Sequence, residues 1–252
     1  MVKQPKKRTL YLFFCFESFI AGLFFTTCGI EEYYYLPQVP QTNISVISNT
    51  SATIRLPPLS SSYANNYVIY YRIYISNYNE SGTINTSSTR INISPDLERD
   101  FSAINPNTDP TSNTMGTPAD TLFKNRSYFI LALDGTNINN VLTKIGGDIE
   151  ILFPTMAGDF PGLLFNGGNY RLFRSRDLIH PEPDRFFRNT SDLNDHGKAI
   201  ANINADVSSR SGLSQRLAYV SMYIVAAGVN PDAFTPIYSK PTHICVFKLP
   251  DS

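Results

Sequence analysis

The chain of 252 residues contains no Trp and only three His, and charged residues make up just 17% of it. Its 21 basic residues are balanced by 21 acidic ones, so no net positive charge is present to attract a nucleic acid. The scarcity of His, Asp and Glu also limits the general acids, bases and metal ligands that catalysis would use. These absences exclude a nucleic-acid partner and favour a binding or scaffold role over an enzyme.

The N-terminus differs in composition from the rest of the chain. A basic head at Lys3–Arg8 is followed by Thr9–Thr27, in which Glu17 is the sole charged residue. This order is typical of an export signal, so we predict that residues 1–27 are a signal peptide. An uncleaved membrane anchor is the alternative, although Glu17 near its middle would cost about 2.5 to 3.5 kcal/mol in a bilayer.

The end of this segment, from Phe25 to Gly29, places small polar residues before Cys28 and a glycine after it. It resembles a bacterial lipobox in the relaxed form of spirochaete-type lipoproteins, with Phe25 and Thr26 departing from the stricter pattern. The resemblance implies that Cys28 is acylated, becomes the first residue of the mature chain and anchors it to the membrane. Ordinary cleavage without lipid is the other interpretation. The anchored chain would face either the periplasm or the outer surface of the cell envelope.

Cysteine is also scarce, with three residues at Cys15, Cys28 and Cys245. Cys15 lies inside the signal and Cys28 would carry lipid, so Cys245 has no partner left for a disulfide. The segment around Cys245 is apolar, which predicts a small buried hydrophobe rather than a nucleophile. His243 lies in the same predicted strand, where a structural role is expected. The exported domain must therefore be stabilised by its core.

Residues 28–41 are predicted to be a tether that leads to a folded domain at 42–252. Pro37 and Pro40 forbid a continuing helix and favour extended chain. Even fully extended, the tether would hold the domain within about 40 Å of the membrane. The tyrosines at 33–35 are expected either in the lipid headgroup region or against the domain.

Strand patterns dominate the predicted domain. Thr42–Ser48 and Ala52–Leu56 alternate apolar and polar residues, as half-buried strands do. Tyr67–Ile75 and Leu217–Ala227 are long runs of β-branched and aromatic residues, typical of central strands in one sheet system. A last strand is predicted at Thr242–Leu249. Lesser strands are predicted at four further segments: Thr89–Ile93, Tyr128–Leu133, Asp148–Phe153 and Tyr170–Arg174.

The five main strands resemble the A, B, C, F and G strands of a fibronectin type III domain. The resemblance rests on the Tyr-rich run from Tyr67 to Ile75, a second Tyr-rich strand that enters Ala-Ala-Gly, and Tyr238–Pro241 before the last strand. It implies an antiparallel β-sandwich of the fibronectin type III or immunoglobulin-like kind. It also gives Tyr219 the place of a corner tyrosine whose hydroxyl bonds the backbone. The chain departs from the fibronectin type III pattern in one respect, a long, loop-rich insertion at residues 76–216.

Within this insertion the sequence predicts little regular structure. Ser94–Ala119 is rich in Pro, Asn, Thr and Ser, so it is expected to be a long loop, either mobile or functional. Asp192–Ser209 is the best candidate for a helix, although Gly197 weakens the pattern. Gly162–Asn169 has the glycine spacing of a phosphate loop but lacks its Lys-Ser/Thr, so a turn between strands is expected.

Two clusters contain residues that could carry chemistry. His180, Glu182 and Asp184 alternate and would share one face of an extended segment, but zinc ligands usually come from separate elements, so a solvated loop is expected. Asp192–Gly197 partly follows a calcium loop, but its twelfth position would be Ile203 instead of Glu, so helix capping is the better interpretation.

The sequence therefore predicts an exported, lipid-anchored binding or envelope-scaffold protein without catalytic activity, metal site or cofactor. Tyr, Asn, Ser and Gly form adaptable recognition surfaces, so a protein or carbohydrate ligand is expected besides the membrane. The alternative is an exported hydrolase or metal-dependent enzyme, whose cleft would join four residues: His180, Asp184, Asp192 and His196.

Overall fold

The computed structural model describes residues 34–79, 82, 84–104, 129–133, 141–156, 158–174, 188, 190–193 and 217–250. Within these residues two antiparallel sheets pack face to face, so the predicted antiparallel β-sandwich is confirmed. The predicted signal peptide and the lipidation site Cys28 lie outside the described residues. No helix in the described part of the chain is both long and apolar enough to cross a membrane.

Sheet A contains six short strands. They are β1 (Ile44–Ser48), β2 (Ser51–Leu56), β5 (Ala132–Leu133), β6 (Gly147–Leu152), β7 (Gly162–Phe165) and β8 (Gly168–Phe173). They lie in the order β1-β2-β6-β7-β8-β5, and every pair of neighbours is antiparallel. The strand predicted at Asp148–Phe153 therefore lies at the middle of this sheet as β6.

Sheet B is built around two long strands. Its members are β3 (Ala64–Ser76), β4 (Phe129–Ile130), β9 (Leu217–Val229), β10 (Pro236–Tyr238) and β11 (Thr242–Lys248). The order is β10-β9-β3-β4, and β11 also pairs with β9. β3 and β9 pair over their whole length, from Ser76 opposite Leu217 to Ala64 opposite Gly228. The prediction that these two runs are central strands of one sheet system is confirmed.

The core lies between the sheets and is filled from both sides. Tyr71 and Ile73 of β3 and Val220 of β9 point into it, where they meet Ile54 of β2 and Ile151 of β6. Successive side chains of a strand point to opposite faces, so the remaining apolar residues of β3 and β9 face away from this core. A second layer must bury them.

Two consecutive helices, α1 (Ser87–Ile93) and α2 (Pro95–Ile104), provide that layer on the outer face of sheet B. The prediction of a strand at Thr89–Ile93 is wrong, because Thr86 caps α1 by accepting a hydrogen bond from the Thr89 amide at 3.3 Å. Packing of Ile93 against sheet B then outweighs the β-branched composition of the segment.

The prediction of a loop over Ser94–Ala119 is wrong for its first part, which forms α2. Pro95 occupies the first position of this helix, where its missing amide proton costs nothing, and acidic residues follow in the first turn. Leu97 and Ile104 are buried at helical spacing against sheet B. Residues 105–119 lie outside the described residues.

Two other predictions of local structure are tested in part. The helix predicted at Asp192–Ser209 begins in a short 3-10 helix, Thr190–Leu193, and the rest of that range lies outside the described residues. The turn predicted within Gly162–Asn169 is confined to Asn166 and Gly167, which join β7 to β8. Both have positive φ, 49° and 80°, as a tight two-residue hairpin requires.

The described part of the predicted tether packs against the sandwich. Leu36 and Val39 are each 1% exposed and belong to the core. Thr242 of β11 donates its hydroxyl to the Val39 carbonyl at 2.6 Å, and the Gln38 side chain donates to the Pro241 carbonyl at 2.9 Å. Leu36 and Val39 thus belong to the same compact unit as the strands, which begins at Tyr35.

Candidate functional site

The four residues of the hypothetical catalytic cleft are only partly described. His180, Asp184 and His196 lie outside the described residues, as does Glu182. Asp192 is described, and its carboxylate accepts two hydrogen bonds from the Arg188 guanidinium, at 2.8 and 3.0 Å, and one from the Arg188 amide at 2.7 Å. This bonding raises the pKa of the Arg188 guanidinium, which therefore stays charged. Asp192 here fixes a turn.

Cys245 lies in β11 and points into the core, which confirms the prediction of a buried hydrophobe. Asn85 donates a side-chain hydrogen bond to its sulfur at 3.3 Å. Burial raises the pKa of the Cys245 thiol to about 12, so the reactive thiolate is suppressed.

His243 is two residues away, but the strand pairing shifts register between the two residues, so His243 faces the opposite side of sheet B. It is 5% exposed, and its ring meets the edges or faces of Phe101 and Tyr223, with centroids 4.9 and 5.0 Å away. Burial, and secondarily the charge of Arg90, lower the pKa of His243 to about 3. Its Nε2 is buried without a hydrogen-bond partner among the described residues. The predicted structural role of a neutral histidine fits these surroundings.

Beside His243 lies a group of four charged side chains and one tyrosine that we call the helix-covered cluster: Arg72, Tyr74, Arg90, Glu98 and Asp100. The Asp100 carboxylate is 1% exposed and accepts hydrogen bonds from Arg72 at 2.7 Å and from the Tyr74 hydroxyl at 2.9 Å. Arg90 pairs with Glu98 at 2.6 Å.

The helix-covered cluster joins α2 to β3 and α1 to α2, and every charge in it is paired. A buried charge needs such a partner, so the cluster is explained by stability alone. No local sequence pattern predicted this cluster. The signal that could have found it is Arg72, a lone cation inside an otherwise apolar central strand, which requires an acidic partner from another element.

The outer face of sheet A is built differently, and we call it the open face. One row of side chains crosses five strands in register: Ser45, Thr53, Glu150, Leu164 and Asn169. All five are exposed or half-exposed. The row therefore offers a hydroxyl pair, a carboxylate and an amide along a path that is about 20 Å long at the spacing of sheet strands.

A groove of about 640 Å³ lies on this face over β1, β2, β6 and the β7–β8 turn. Arg55 and Asp148 stand in it as an ion pair at 3.3 Å, with side chains 78% and 76% exposed. Asn43, Glu150 and Asn166 also line it. Because both charges of the pair are solvated, either can exchange its partner for a ligand at little cost.

A second groove of about 650 Å³ lies at the other end of the same face. Asn169, Arg171 and Asp159 provide polar groups there, and Phe160 provides an aromatic surface. The Arg171 guanidinium lies 4.8 Å from the centre of the Phe160 ring, and that of Arg188 lies 5.4 Å from it. The half-exposed ring is thereby held in place by two cations.

The open face combines hydrogen-bond donors, hydrogen-bond acceptors and the Phe160 ring, which suits the recognition of a polar, extended molecule. Among the described residues, no group of three or more His, Cys, Asp and Glu side chains is placed to hold a metal ion. Comparison with protein-family models, curated proteins and solved structures gave no significant match. The interpretation of the site therefore depends on its own chemistry.

Proposed function

We propose that the protein is an exported, lipid-anchored binding or envelope-scaffold protein that acts without catalysis, and that the open face holds its ligand. The observation that supports this most is the contrast between the two outer faces. The outer face of sheet B is buried under α1 and α2, whereas the outer face of sheet A carries an ordered row of mostly polar side chains and two grooves.

The anchor is proposed from the N-terminal sequence. The basic head, the apolar segment and the lipobox-like residues Thr26–Gly29 follow one another in the order of a spirochaete-type lipoprotein signal. Mass spectrometry of the N-terminal peptide is expected to find a chain that begins at an acylated Cys28. Residues 1–27 still attached, or an unmodified Cys28, would contradict the anchor.

A relationship to fibronectin type III domains is part of the same proposal. The strands assigned to A and B are neighbours in sheet A as β1 and β2, and those assigned to C, F and G are neighbours in sheet B as β3, β9 and β11. That division between sheets supports the resemblance. Tyr219 donates its hydroxyl to the Tyr78 carbonyl at 2.6 Å, across the sheet rather than to a residue shortly before it. β7, β8 and the helix pair have no counterpart in the resemblance.

The ligand is proposed to be a polar chain, either a carbohydrate or an extended peptide. Hydroxyl, amide and carboxylate groups of the open face can replace the hydrogen bonds that such a ligand makes with water. The Phe160 ring can pack on an apolar patch of it. Neither groove encloses its contents, which excludes a small buried cofactor as the natural occupant of this face.

Two exposed arginines provide a matched test of the open face. Arg55 lies in the first groove and pairs with Asp148, while Arg99 lies on α2, 65% exposed, and pairs with Asp96 at 3.1 Å and with Asp100 at 3.6 Å. Soluble protein with each substitution, R55A and R99A, is applied to glycan and peptide arrays and used to capture envelope components.

R55A is expected to weaken binding about tenfold or more, because it removes a charge-assisted hydrogen bond, and R99A is expected to leave it unchanged. Equal binding by R55A and the parent protein, with loss in R99A, would place the ligand on the helix side instead. Binding to one kind of array decides between carbohydrate and peptide.

A further inference from the structure

The two most exposed large apolar side chains of the described residues are Phe234, at 83%, and Ile145, at 76%. Phe234 lies in the loop between β9 and β10, and Ile145 lies in the turn before β6. Their isolated exposure would be ordinary on a protein surface. Their position at one end of the fold, however, indicates a common role.

Both side chains lie at the same end of the sandwich, where β3 begins. β9 ends at Val229, whose amide donates to the Tyr63 carbonyl at 3.0 Å, directly before β3. β6 begins at Gly147 opposite Leu56, the last residue of β2. The loop that leads from β2 to β3 contacts the Ile145 turn through a hydrogen bond from the Leu59 amide to the Lys144 carbonyl, at 2.8 Å.

The loop that carries Phe234 is fixed by its own hydrogen bonds. The Asn230 side chain accepts from the amides of Asp232 and Ala233 at 2.9 and 3.1 Å, and the Asn230 carbonyl accepts from the Phe234 amide at 2.8 Å. Phe234 has a φ of 53°, which is uncommon for a residue with a bulky side chain. The fold thus holds a largely exposed ring in a strained backbone conformation.

The turn that carries Ile145 is equally constrained. Gly146 follows it with a φ of 77°, and a Cβ at that position would lie 2.5 Å from the Leu56 carbonyl oxygen. Only glycine fits there. The turn is therefore rigid, and it presents Ile145 outward beside Lys144, which is also exposed.

The chain enters the compact unit at this same end. Tyr63 donates its hydroxyl to the Tyr35 carbonyl at 2.8 Å, so Tyr35 lies beside the start of β3, with its own side chain 48% exposed. If the anchor is at Cys28, seven residues lead from it to Tyr35, and they reach at most about 25 Å. This end of the sandwich is therefore the one that a membrane anchor holds close to the bilayer.

We propose that the end formed by Tyr35, Ile145 and Phe234, here called the anchor end, rests on the lipid surface with Phe234 and Ile145 inserted among the headgroups. The inference rests on the proposed membrane anchor and adds an orientation to it. Lys144 and Asp232 lie at the same end with opposite charges, so the contact depends on apolar insertion more than on charge. The second groove then stands away from the bilayer at the far end of the open face, whereas the first groove lies beside the anchor end, next to Arg55 and Asp148.

The absence of Trp from the chain provides a direct test, because any introduced Trp is the sole reporter of its kind. The full chain with Phe234→Trp is reconstituted in phosphatidylcholine and phosphatidylglycerol vesicles that contain brominated lipid. Ile145→Trp is an independent second probe. Met156→Trp is the matched control, since Met156 is 70% exposed in the loop after β6, at the opposite end of the sandwich.

We expect brominated lipid to quench Phe234→Trp and Ile145→Trp about twofold or more beyond Met156→Trp, with blue-shifted emission, because side chains at an interface reach the boundary of the acyl chains. Equal quenching at all three positions, or none, would overturn the inference. A blue shift that depends on protein concentration and not on lipid would assign the surface to a second copy of the chain and would also overturn it.

Mass spectrometry of the same samples separates this inference from the anchor on which it rests. An acylated Cys28 with an unquenched Phe234→Trp contradicts the orientation and leaves the anchor intact. An unmodified Cys28 in a chain that still binds vesicles, with strong quenching at Phe234→Trp, contradicts lipidation and supports the orientation.

Discussion

A comparison of the outer faces of the two sheets shows that the sequence of a strand indicates whether the strand is covered on one side or on both. β3 and β9 are apolar on both sides, and both sides are buried, one by the core and one by the helices. β2 and β6 alternate, and only their inner side chains are buried. Continuous apolar runs therefore indicate a strand between two layers, and alternation indicates a strand with a face left for solvent or a ligand.

The ion pair between Arg72 and Asp100 is largely buried under the helices, whereas the pair between Arg55 and Asp148 on the open face is exposed. Removing one partner of each pair tests this difference most strongly. Asp100→Ala is expected to cost about 3 to 5 kcal/mol of unfolding free energy, because it leaves Arg72 buried without that carboxylate. Asp148→Ala, on the open face, is expected to cost no more than about 1 kcal/mol. Urea denaturation measures both. Similar losses would show that the two pairs are not differently buried.

The apolar residues on the two sides of sheet B sharpen the comparison. Ile73 faces the core and Val225 faces the outer side of sheet B in a cluster with Ile104 of α2, so Ile73→Ala and Val225→Ala are each expected to cost about 2 to 4 kcal/mol. Leu164→Ala on the open face is expected to cost less than about 1 kcal/mol, since Leu164 is already half-exposed. A loss below about 0.5 kcal/mol for Val225→Ala would mean that the helices do not cover sheet B.

His243 makes the helix-covered face sensitive to acid. Its pKa is about 3 in the folded protein because of burial, against about 6.5 in the unfolded chain, so only the unfolded chain binds the proton between these values. Stability due to His243 is complete above pH 6.5 and decreases toward pH 3, by about 1.4 kcal/mol per pH unit. Unfolding of the parent and of His243→Phe at pH 7 and pH 5 isolates this effect. The same pH slope in both proteins would contradict it.

The smallest expected effect concerns a hydrogen bond between β9 and the chain after β3. Tyr219→Phe removes the hydroxyl that bonds the Tyr78 carbonyl and is expected to cost about 0.5 to 1.5 kcal/mol. Tyr78→Phe retains that carbonyl and is expected to be nearly neutral. Thermal unfolding compares the two, and equal melting temperatures would show that the bond does not contribute.

The sequence predicted the strands better than the helices, for a physical reason. A long apolar run such as Leu217–Ala227 is stable as a strand that is covered on both sides. Its structure therefore follows from its composition. Thr89–Ile93 forms a helix because Thr86 caps it and sheet B buries one side, and neither condition is visible in five residues of mixed propensity. The wrong prediction for Ser94 onward has the same origin.

The candidate site depended even more on tertiary structure. The sequence singled out clusters of adjacent residues, of which only Asp192 is described, and that carboxylate is bonded to Arg188. The open face instead gathers Ser45, Thr53 and Glu150 from three strands. Residues that lie in one row of a sheet are separated by whole strands and loops in the chain, so no local pattern marks them.

The amino-acid sequence by itself determined the periodicities, the location of the apolar core strands and the burial of Cys245, because these follow from side-chain chemistry within a few neighbouring residues. Only the tertiary structure decided which sheet face is covered, how Asp100 and Arg72 meet, and which loops share an end with Tyr35. Those properties depend on strand order and register, which are set by contacts between distant segments, and each such contact is favourable only once the others have formed.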